Sequence, residues 1–278
     1  MPVISTNTAA NTALRYLNNN AADQSSALAK LASGSRITKA SDDAAGLAIG
    51  TQLQSDVAVL SQASTNASQA SSILQTADGG LSNISDILTR MKALATSAAS
   101  GNVTDAQRTA DIDTEFQQLV KEIDAISTGT RYSGDSLLDG TSAFASGVSF
   151  LVGTSGSDTI TVTISGANSS ALGLSAGTAN LKTASSALAM ITTISSAIDT
   201  ITQDRASVGA LESRMNFHSQ SIATTTENTS AAASTIMDAD VASEKSALSS
   251  ADVKTQAAVA ALAQANKIPQ ELLSLLQQ

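Results

Sequence analysis

The chain has 278 residues, of which 42% are hydrophobic, 14% are charged and only 2% are aromatic. Charged residues are about half as frequent as in an average globular protein. Cysteine is absent and His218 is the single histidine, so thiol chemistry is excluded and a histidine-based triad or metal cage would depend on one ring. The net charge of −9 argues against a nucleic-acid partner. The shortage of bulky side chains favours thin structures that pack along seams of small residues.

No segment of the sequence predicts a membrane span, because the longest apolar run, Ala257–Ala263, is far shorter than the roughly 20 residues required. Met1–Asn20 also lacks the charged start, apolar stretch and cleavage site that are typical of a secretory signal. We therefore expect no membrane insertion and no cleaved signal peptide.

The first half of the chain carries apolar residues at heptad spacing, which predicts long helices. Near the N-terminus the series is Leu14, Leu17, Ala21, Gln24, Leu28 and Leu31. Gly34 follows as a residue suited to a left-handed helix end. Ser41, Asp42 and Asp43 favour the start of a second helix, because acidic groups interact well with a helix N-terminus. Its series is Leu53, Leu60, Ala67, Leu74, Leu81, Leu88 and Ala95, with companions Ala63, Ala70, Ala77, Ile84 and Met91.

A third helix and a β-hairpin are predicted next. Thr104 and Gln107 have the spacing of a capping box, and the helix that follows is expected to end near Gly129. Its apolar face is Ile112, Phe116, Leu119, Ile123 and Ile126. Alternating apolar residues then flank the loop Gly153–Asp158, and they are Val148, Phe150 and Val152 before it and Ile160, Val162 and Ile164 after it. This alternation predicts a hairpin, the one strand region that the pattern favours.

Helical periodicity returns from about Leu181 and continues almost to the end of the chain. The long stripe consists of Leu188, Ile191, Ile198, Ile201, Val208, Leu211, Met215, Ile222, Ala232 and Ile236. After Asp238 and Asp240 the last series is Val241, Leu248, Thr255, Leu262, Pro269 and Leu276, with companions Ala251, Ala258, Ala265 and Leu272. The predicted fold class is therefore mainly α, an elongated helical bundle or coiled coil with one small β-hairpin region.

The two end helices are too poor in large apolar residues to be stable alone. A fully buried Leu or Val contributes about 1.5–3 kcal/mol and Ala much less, whereas ordering each residue costs roughly 1–2 kcal/mol of backbone entropy. We therefore expect both ends to pack on each other and on other subunits. The predicted interface residues are Leu14, Leu17, Leu28, Leu31, Val241, Leu248, Leu262, Leu272 and Leu276.

Four segments resemble bacterial flagellin in order, spacing and sequence. They are Ile4–Asn7 with Leu28–Ile37 and Ala40–Ile49; Tyr132–Gly134 with Leu137–Gly140; Arg205–Leu211; and Asp238–Ala242 with Leu262–Gln270 and the residues up to Leu275. The matching regions cover about residues 1–140 and 185–278. The insert between them is short, so the chain is similar to a flagellin that lacks outer domains.

This resemblance implies an extracellular structural subunit that self-assembles into the filament used for swimming, with no enzymatic activity, cofactor or metal. Residues 1–40 and 238–278 would form the inner tube, and residues 41–237 a helical shell with a β insert at about 141–180. Export would use the flagellar type III apparatus without a cleaved signal. Expected partners are other copies of the chain, an export chaperone, the filament cap and hook-junction proteins.

Three alternatives are less well supported by the residues. The hook–filament junction protein shares the N-terminal motifs, but its C-terminal match to flagellin is usually poorer than the one here. An adhesin or ligand-binding module built on Gly129–Leu181 would need an array of aromatic residues, and only Phe144 and Phe150 are present. An enzyme is disfavoured by the shortage of His, Cys and aromatic residues.

The resemblance also implies a surface that an animal Toll-like receptor could recognise, within Leu88–Leu94. Arg90, Leu94 and Glu115 match the family's pattern, whereas Lys92, Ala93, Thr96 and Ser97 depart from it. Weakened recognition is the resulting hypothesis. His218 is expected to be a packed core or interface residue. Arg205 is expected either to extend its head into water or to pair with a carboxylate on a neighbouring helix or subunit.

Overall fold

The computed structural model describes residues 6–175 and 177–276, with side chains up to residue 267. It is mainly helical, as the sequence predicted. The helices are α1 (Thr8–Ser33), α2 (Ala44–Ala99), α3 (Asp105–Gln107), α4 (Asp113–Gly129), α5 (Ala143–Ser146), α6 (Ala184–Met237) and α7 (Val241–Leu276). The strands are β1 (Arg131–Tyr132), β2 (Asp135–Ser136), β3 (Val148–Leu151) and β4 (Thr159–Val162). A π-helical turn, Arg108–Ile112, joins α3 to α4.

The described residues form two compact units. The terminal unit contains the chain up to Val57 and from Asn228 onward, and the central unit is Ala58–Glu227. The predicted tube and shell division at residues 40 and 238 follows the breaks between helices, whereas the compact units divide within α2 and α6. The assignment of assembly domains therefore stays a prediction.

Local capping signals account for several helix ends. Gly34 closes α1 in the left-handed conformation with φ of 70°, as predicted. The carboxylate of Asp43 accepts a hydrogen bond from the Gly46 amide at 2.8 Å in the first turn of α2. The Asp42 carboxylate instead closes the preceding turn by accepting from the backbone amides of Thr38 and Lys39. The hydrogen bonds from Thr38 and Lys39 lower the pKa of Asp42.

The side chain of Arg108 provides hydrogen bonds to backbone carbonyl groups at the C-terminal end of α2, a role that was not predicted from the sequence. α2 ends at Ala99, and its last carbonyl groups lack partners within the helix. The buried guanidinium of Arg108 donates to the carbonyl oxygens of Ala98 and Ser100 and pairs with Asp105 at 2.6 Å. One cation therefore satisfies two carbonyls at the negative end of the helix dipole.

The core of the central unit follows the predicted α2 series closely. Leu60, Ala67, Leu74, Leu81, Leu88, Ala95 and the five predicted companions are all buried. They pack with residues of α4 and α6, among them Phe116, Ile123, Ile194, Ile201, Val208, Met215 and Ile222. On α6 the predicted stripe begins one position out of phase, because Ala187 is buried and Leu188 is 60% exposed.

Gly80 lies where α2 approaches a loop too closely for any side chain. A Cβ added there would be 2.6 Å from Thr130 Oγ1 and 2.7 Å from Leu138 Cδ1, whereas a Cβ added to the neighbouring Gly79 meets no atom within 4 Å. Gly80 is therefore required by packing and Gly79 is not.

The predicted hairpin is present, and a second, smaller one accompanies it. β3 and β4 pair antiparallel with Val148 opposite Val162 and Phe150 opposite Ile160. β1 and β2 also pair, through a turn in which Ser133 and Gly134 both have positive φ, 53° and 99°. This second hairpin was not predicted, because strands of two residues are too short to show an alternation of apolar and polar side chains.

Among the described helices, α6 is long and apolar enough to cross a membrane, which the sequence analysis did not expect. Its buried residues include Ile194, Ile201 and Val208, which belong to the core of the central unit. Only 22% of the most apolar stretch of α6 is buried, so packing within the central unit accounts for the buried residues alone.

Candidate assembly surfaces

Helices α1 and α7 lie side by side and antiparallel in the terminal unit. Polar contacts at intervals along the pair fix its register: Asn7 Nδ2 donates to the Ala265 carbonyl at 2.9 Å, Gln24 donates to Asp252, and Lys30 pairs with Glu244 at 3.5 Å. Beyond the end of α1, Ser35 forms a β-bridge with Asp238. Because these contacts fix the register, they also determine which of the remaining side chains lie between the two helices.

The seam between α1 and α7 is made mainly of small residues. On α1 the side chains that are at least half covered are Ala10, Ala13, Leu17, Asn20, Gln24, Ala27, Lys30 and Leu31. On α7 they are Glu244, Leu248, Ala251, Asp252, Thr255, Ala258, Leu262 and Ala265. Of the predicted interface residues, Leu17, Leu31, Leu248 and Leu262 thus lie in the seam within one chain.

Part of the predicted α1 series lies outside this seam. Leu14 is 45% exposed, Leu28 is 57% exposed and Ala21 is also exposed. The alternate seam positions are held instead by Ala13, Asn20 and Ala27, and the expected packing of Leu14 and Leu28 on other subunits stays a prediction. Leu14, Ala21 and Leu28 form a second stripe one residue further round the helix.

The first unpartnered surface, the leucine stripe, consists of Leu14, Leu28 and Val259. Val259 is 52% exposed and follows the buried Ala258. By helical periodicity it lies on the same flank of the antiparallel pair as Leu14 and Leu28. The stripe therefore presents large apolar side chains to solvent along one side of α1 and α7.

The second surface is a shallow groove on the opposite flank, which we call the alanine groove. Most of its lining is alanine, together with Tyr16 and four other polar residues: Thr8, Ala9, Thr12, Ala13, Tyr16, Asn20, Lys254, Ala257, Ala258, Ala261 and Ala265. Tyr16 is 58% exposed and is the largest side chain in the groove. Tyr16 and Leu14 are two residues apart, about 200° around the helix, so the two surfaces face different directions.

The remaining predicted interface residues lie on α7. Val241, at the start of α7, is 59% exposed and contributes apolar surface. The side chains of Leu272 and Leu276 lie outside the described residues, as does that of Pro269. A large exposed aromatic residue in the central unit, Phe217 at 71% exposure, was not predicted as part of any surface.

The predicted receptor-facing residues are only partly available at the surface. Arg90 and Glu115 are partly exposed and paired with each other, Nη2 to Oε1 at 2.6 Å. Leu94 is only 8% exposed and belongs to the core of the central unit. Its burial leaves it little surface with which to contact a receptor.

Arg205 takes the second of its two predicted roles within the chain. Its Nε lies 2.9 Å from Asp78 Oδ1, so the pair links α6 to α2 in the central unit. The hydrogen bond to Asp78 raises the pKa of Arg205. His218 is half-buried on α6, where it lines a cleft with Arg214. In the described part of the chain, no group of three or more metal-ligating side chains could hold an ion.

The comparisons with known proteins agree with this arrangement of helices. Residues 4–143 match the model of the bacterial flagellin N-terminal helical region, and residues 191–276 match that of the C-terminal helical region. The chain is 34% identical to flagellin of Halalkalibacterium halodurans over 275 residues, which covers 99% of each chain. It is 36% identical to flagellin of Listeria monocytogenes, covering 94% of each, and 34% identical to that of Bacillus subtilis, covering 96% of this chain and 97% of that protein.

The chain therefore belongs to the bacterial flagellin family. It is a structural subunit of the flagellar filament and so an extracellular component that self-assembles, as the sequence predicted. No finding favours the junction protein or the adhesin.

Proposed function

We propose that the terminal unit drives filament assembly through two unlike surfaces, the leucine stripe and the alanine groove. The single observation that carries this proposal is that both flanks of the α1–α7 seam expose apolar side chains that the chain itself does not cover. The alanine side chains leave space beside Tyr16 in which leucine and valine side chains of another copy can pack closely.

The difference between the surfaces suits an open polymer. When a surface binds a different surface on the next copy, the contact does not close on itself, and helical filaments result. Leu14 and Leu28 are separated by about 21 Å along α1, at 1.5 Å per residue. Several contacts along the leucine stripe of one subunit and the alanine groove of the next would therefore fix their relative axial position. The predicted interface residues Leu17, Leu31, Val241, Leu248, Leu262, Leu272 and Leu276 would support or extend these surfaces.

The wider cellular role follows from the family and remains part of the proposal. The chain would leave the cell through the flagellar type III apparatus without a cleaved signal, aided by an export chaperone and assembled below a filament cap. Hook-junction proteins would join its filament to the hook. It would catalyse no reaction, since assembly requires none. Receptor recognition would rest on Arg90 and Glu115.

Blocking the groove tests the proposed contact. Ala261→Phe places a ring in the alanine groove, whereas Ala260→Phe makes the same change at the neighbouring exposed residue, which does not line the groove. Purified variants are seeded with short filaments, and polymer is measured by sedimentation and electron microscopy. We expect A261F to elongate poorly and A260F to elongate like the natural chain.

Mixing the variants with the natural chain tests whether the surfaces are unlike. A subunit with a blocked groove keeps its leucine stripe, so a small fraction of A261F should stop growth at filament ends. Equal elongation of A261F and A260F would refute the role of the groove. Absence of capping by an assembly-defective A261F would refute the pairing of unlike surfaces.

A further inference from the structure

The central unit contains a cleft of about 320 Å³ between the loop of the β3–β4 hairpin and helix α6. Its floor is apolar and buried, formed by Leu60, Val152, Ile160 and Ile222. Its rim carries hydroxyl groups and charged groups: Thr154, Ser157, Asp158, Thr159, Arg214, His218, Ser221 and Thr225. An apolar floor with a few polar groups at the rim is the usual composition of a binding site.

The loop that forms one wall is held by its own hydrogen bonds. The Val152 amide donates to the Asp158 carbonyl at 2.8 Å, and the Ser155 amide donates to the Asp158 carboxylate at 3.0 Å. A Cβ at Gly153 would lie 2.5 Å from Asp158 Oδ2, so glycine is needed for the loop to close. The wall is therefore already formed before any ligand binds, which lowers the entropy cost of binding.

The opposite wall presents two nitrogen donors from one helix face. Arg214 and His218 are four residues apart on α6, so their side chains lie on the same side of the helix. Arg90, Arg108 and Arg205 of this unit each pair with a carboxylate. Within the described residues Arg131 and Arg214 of this unit have no such ion pair, although Asp158 lines the same cleft as Arg214. The Asp158 carboxylate accepts from the loop backbone instead.

The chemistry of the cleft fits a carboxylate on a short aliphatic stem. A guanidinium presents a planar fork that matches the two oxygens of a carboxylate. The hydroxyl group of Ser221 can donate a further hydrogen bond, whereas that of Thr225 already donates to the Ser221 carbonyl oxygen at 2.8 Å. The apolar floor can cover methylene groups. Acidic residues outnumber Lys and Arg in this chain by 24 to 15, so a carboxylate is the charged group that a second copy most often presents.

We propose that Arg214, with His218 beside it, binds an acidic side chain of a second copy of this chain within the filament. The inference rests on the proposed self-assembly and adds a contact in the central unit to those of the terminal unit. The contact would select one lateral arrangement of neighbouring subunits, because a forked ion pair depends strongly on geometry.

Cross-linking identifies the occupant directly. Arg214→Lys keeps the positive charge and introduces an amine that a carbodiimide can couple to a carboxylate in contact with it. Filaments are assembled from a mixture of ¹⁵N-labelled and unlabelled R214K chains, and cross-linked peptides are analysed by mass spectrometry. We expect peptides that join the introduced lysine of one isotope to Asp or Glu of the other. Cross-links within one chain only, or none, would overturn the proposal.

Charge reversal supplies an independent measurement. Arg214→Glu is compared with Lys121→Glu, the same change of charge at an exposed residue of α4 that does not line the cleft. We expect the critical concentration for assembly to rise by up to about fivefold for R214E relative to K121E, the upper end of the range for loss of an exposed ion pair. Equal critical concentrations would refute the inference. Failure of the natural chain itself to assemble would instead refute the proposed function.

Discussion

Replacing the two leucines of the leucine stripe tests the energetics of assembly. In Leu14→Gln and Leu28→Gln the new residue has a similar helix propensity, so the change acts mainly on apolar surface. Full burial of a leucine contributes about 1.5–3 kcal/mol. Because Leu14 is 45% and Leu28 57% exposed, about half of that value per residue, or roughly 1.5–3 kcal/mol for both, remains to be gained on assembly.

The expected result is a rise in the critical concentration by roughly tenfold to a hundredfold for the double variant, since each 1.4 kcal/mol is about a factor of ten. The critical concentration is measured by sedimentation after seeding, and circular dichroism checks that the helix content of the monomer is unchanged. Leu188→Gln is a matched control, because Leu188 is 60% exposed but lies in the central unit. A double variant that assembles at the same concentration as the natural chain or the L188Q control would refute the reasoning.

Two further predictions concern the chain before assembly. Gly80→Ala should destabilise the central unit by about 1–3 kcal/mol through overpacking against Thr130 and Leu138. Gly79→Ala should be neutral or stabilise it by up to about 1 kcal/mol. Urea unfolding of both variants measures the two free energies of unfolding, and equal changes would contradict the close packing at Gly80. Backbone hydrogen bonds lower the pKa of Asp42 and Asp139, chiefly from Thr38 and Thr141 respectively, so their ionised forms stabilise the folded chain above the usual carboxyl value of 3.8. This stabilisation should be lost as the pH falls below 3.8 and through the lowered pKa values. On acidification, the melting temperature of the natural chain should therefore fall further than that of a D42N/D139N variant. A larger fall for the variant would contradict the assignment.

The sequence predicted the core of the central unit well because that core uses large residues at strict heptad spacing. Leu74, Leu81 and Leu88 are each followed three residues later by a companion on the same helix face, Ala77, Ile84 and Met91 respectively, so two series with seven-residue spacing support one interpretation. The hairpin was predictable for a similar reason, since its alternation continues over several residues on each side of a marked loop.

The terminal unit was harder to predict because two apolar stripes share one helix. Leu14 and Leu17 both fit a heptad series, yet only Leu17 faces α7. The alternate seam positions hold Ala13, Asn20 and Ala27. Because these residues are small or polar, they do not stand out as part of an apolar series in the sequence. Arg108 could not be predicted either, because its role depends on the π-helical turn that brings it under the end of α2.

The distribution of large side chains between the two units links folding to assembly. The central unit fully buries Phe116, Leu74 and other large residues. The α1–α7 seam, in contrast, has Ala27, Ala251, Ala258 and Ala265 as its buried apolar residues in the described part of these helices. The leucines of the seam, Leu17, Leu31, Leu248 and Leu262, are only partly buried, so the seam buries less large apolar side chain than the core of the central unit does. The large apolar groups that could make up the difference, Leu14, Leu28, Val241 and Val259 among them, lie on the outside. Their burial requires another copy, so we infer that the free energy that orders the ends of this chain and the free energy that polymerises it come largely from the same contacts.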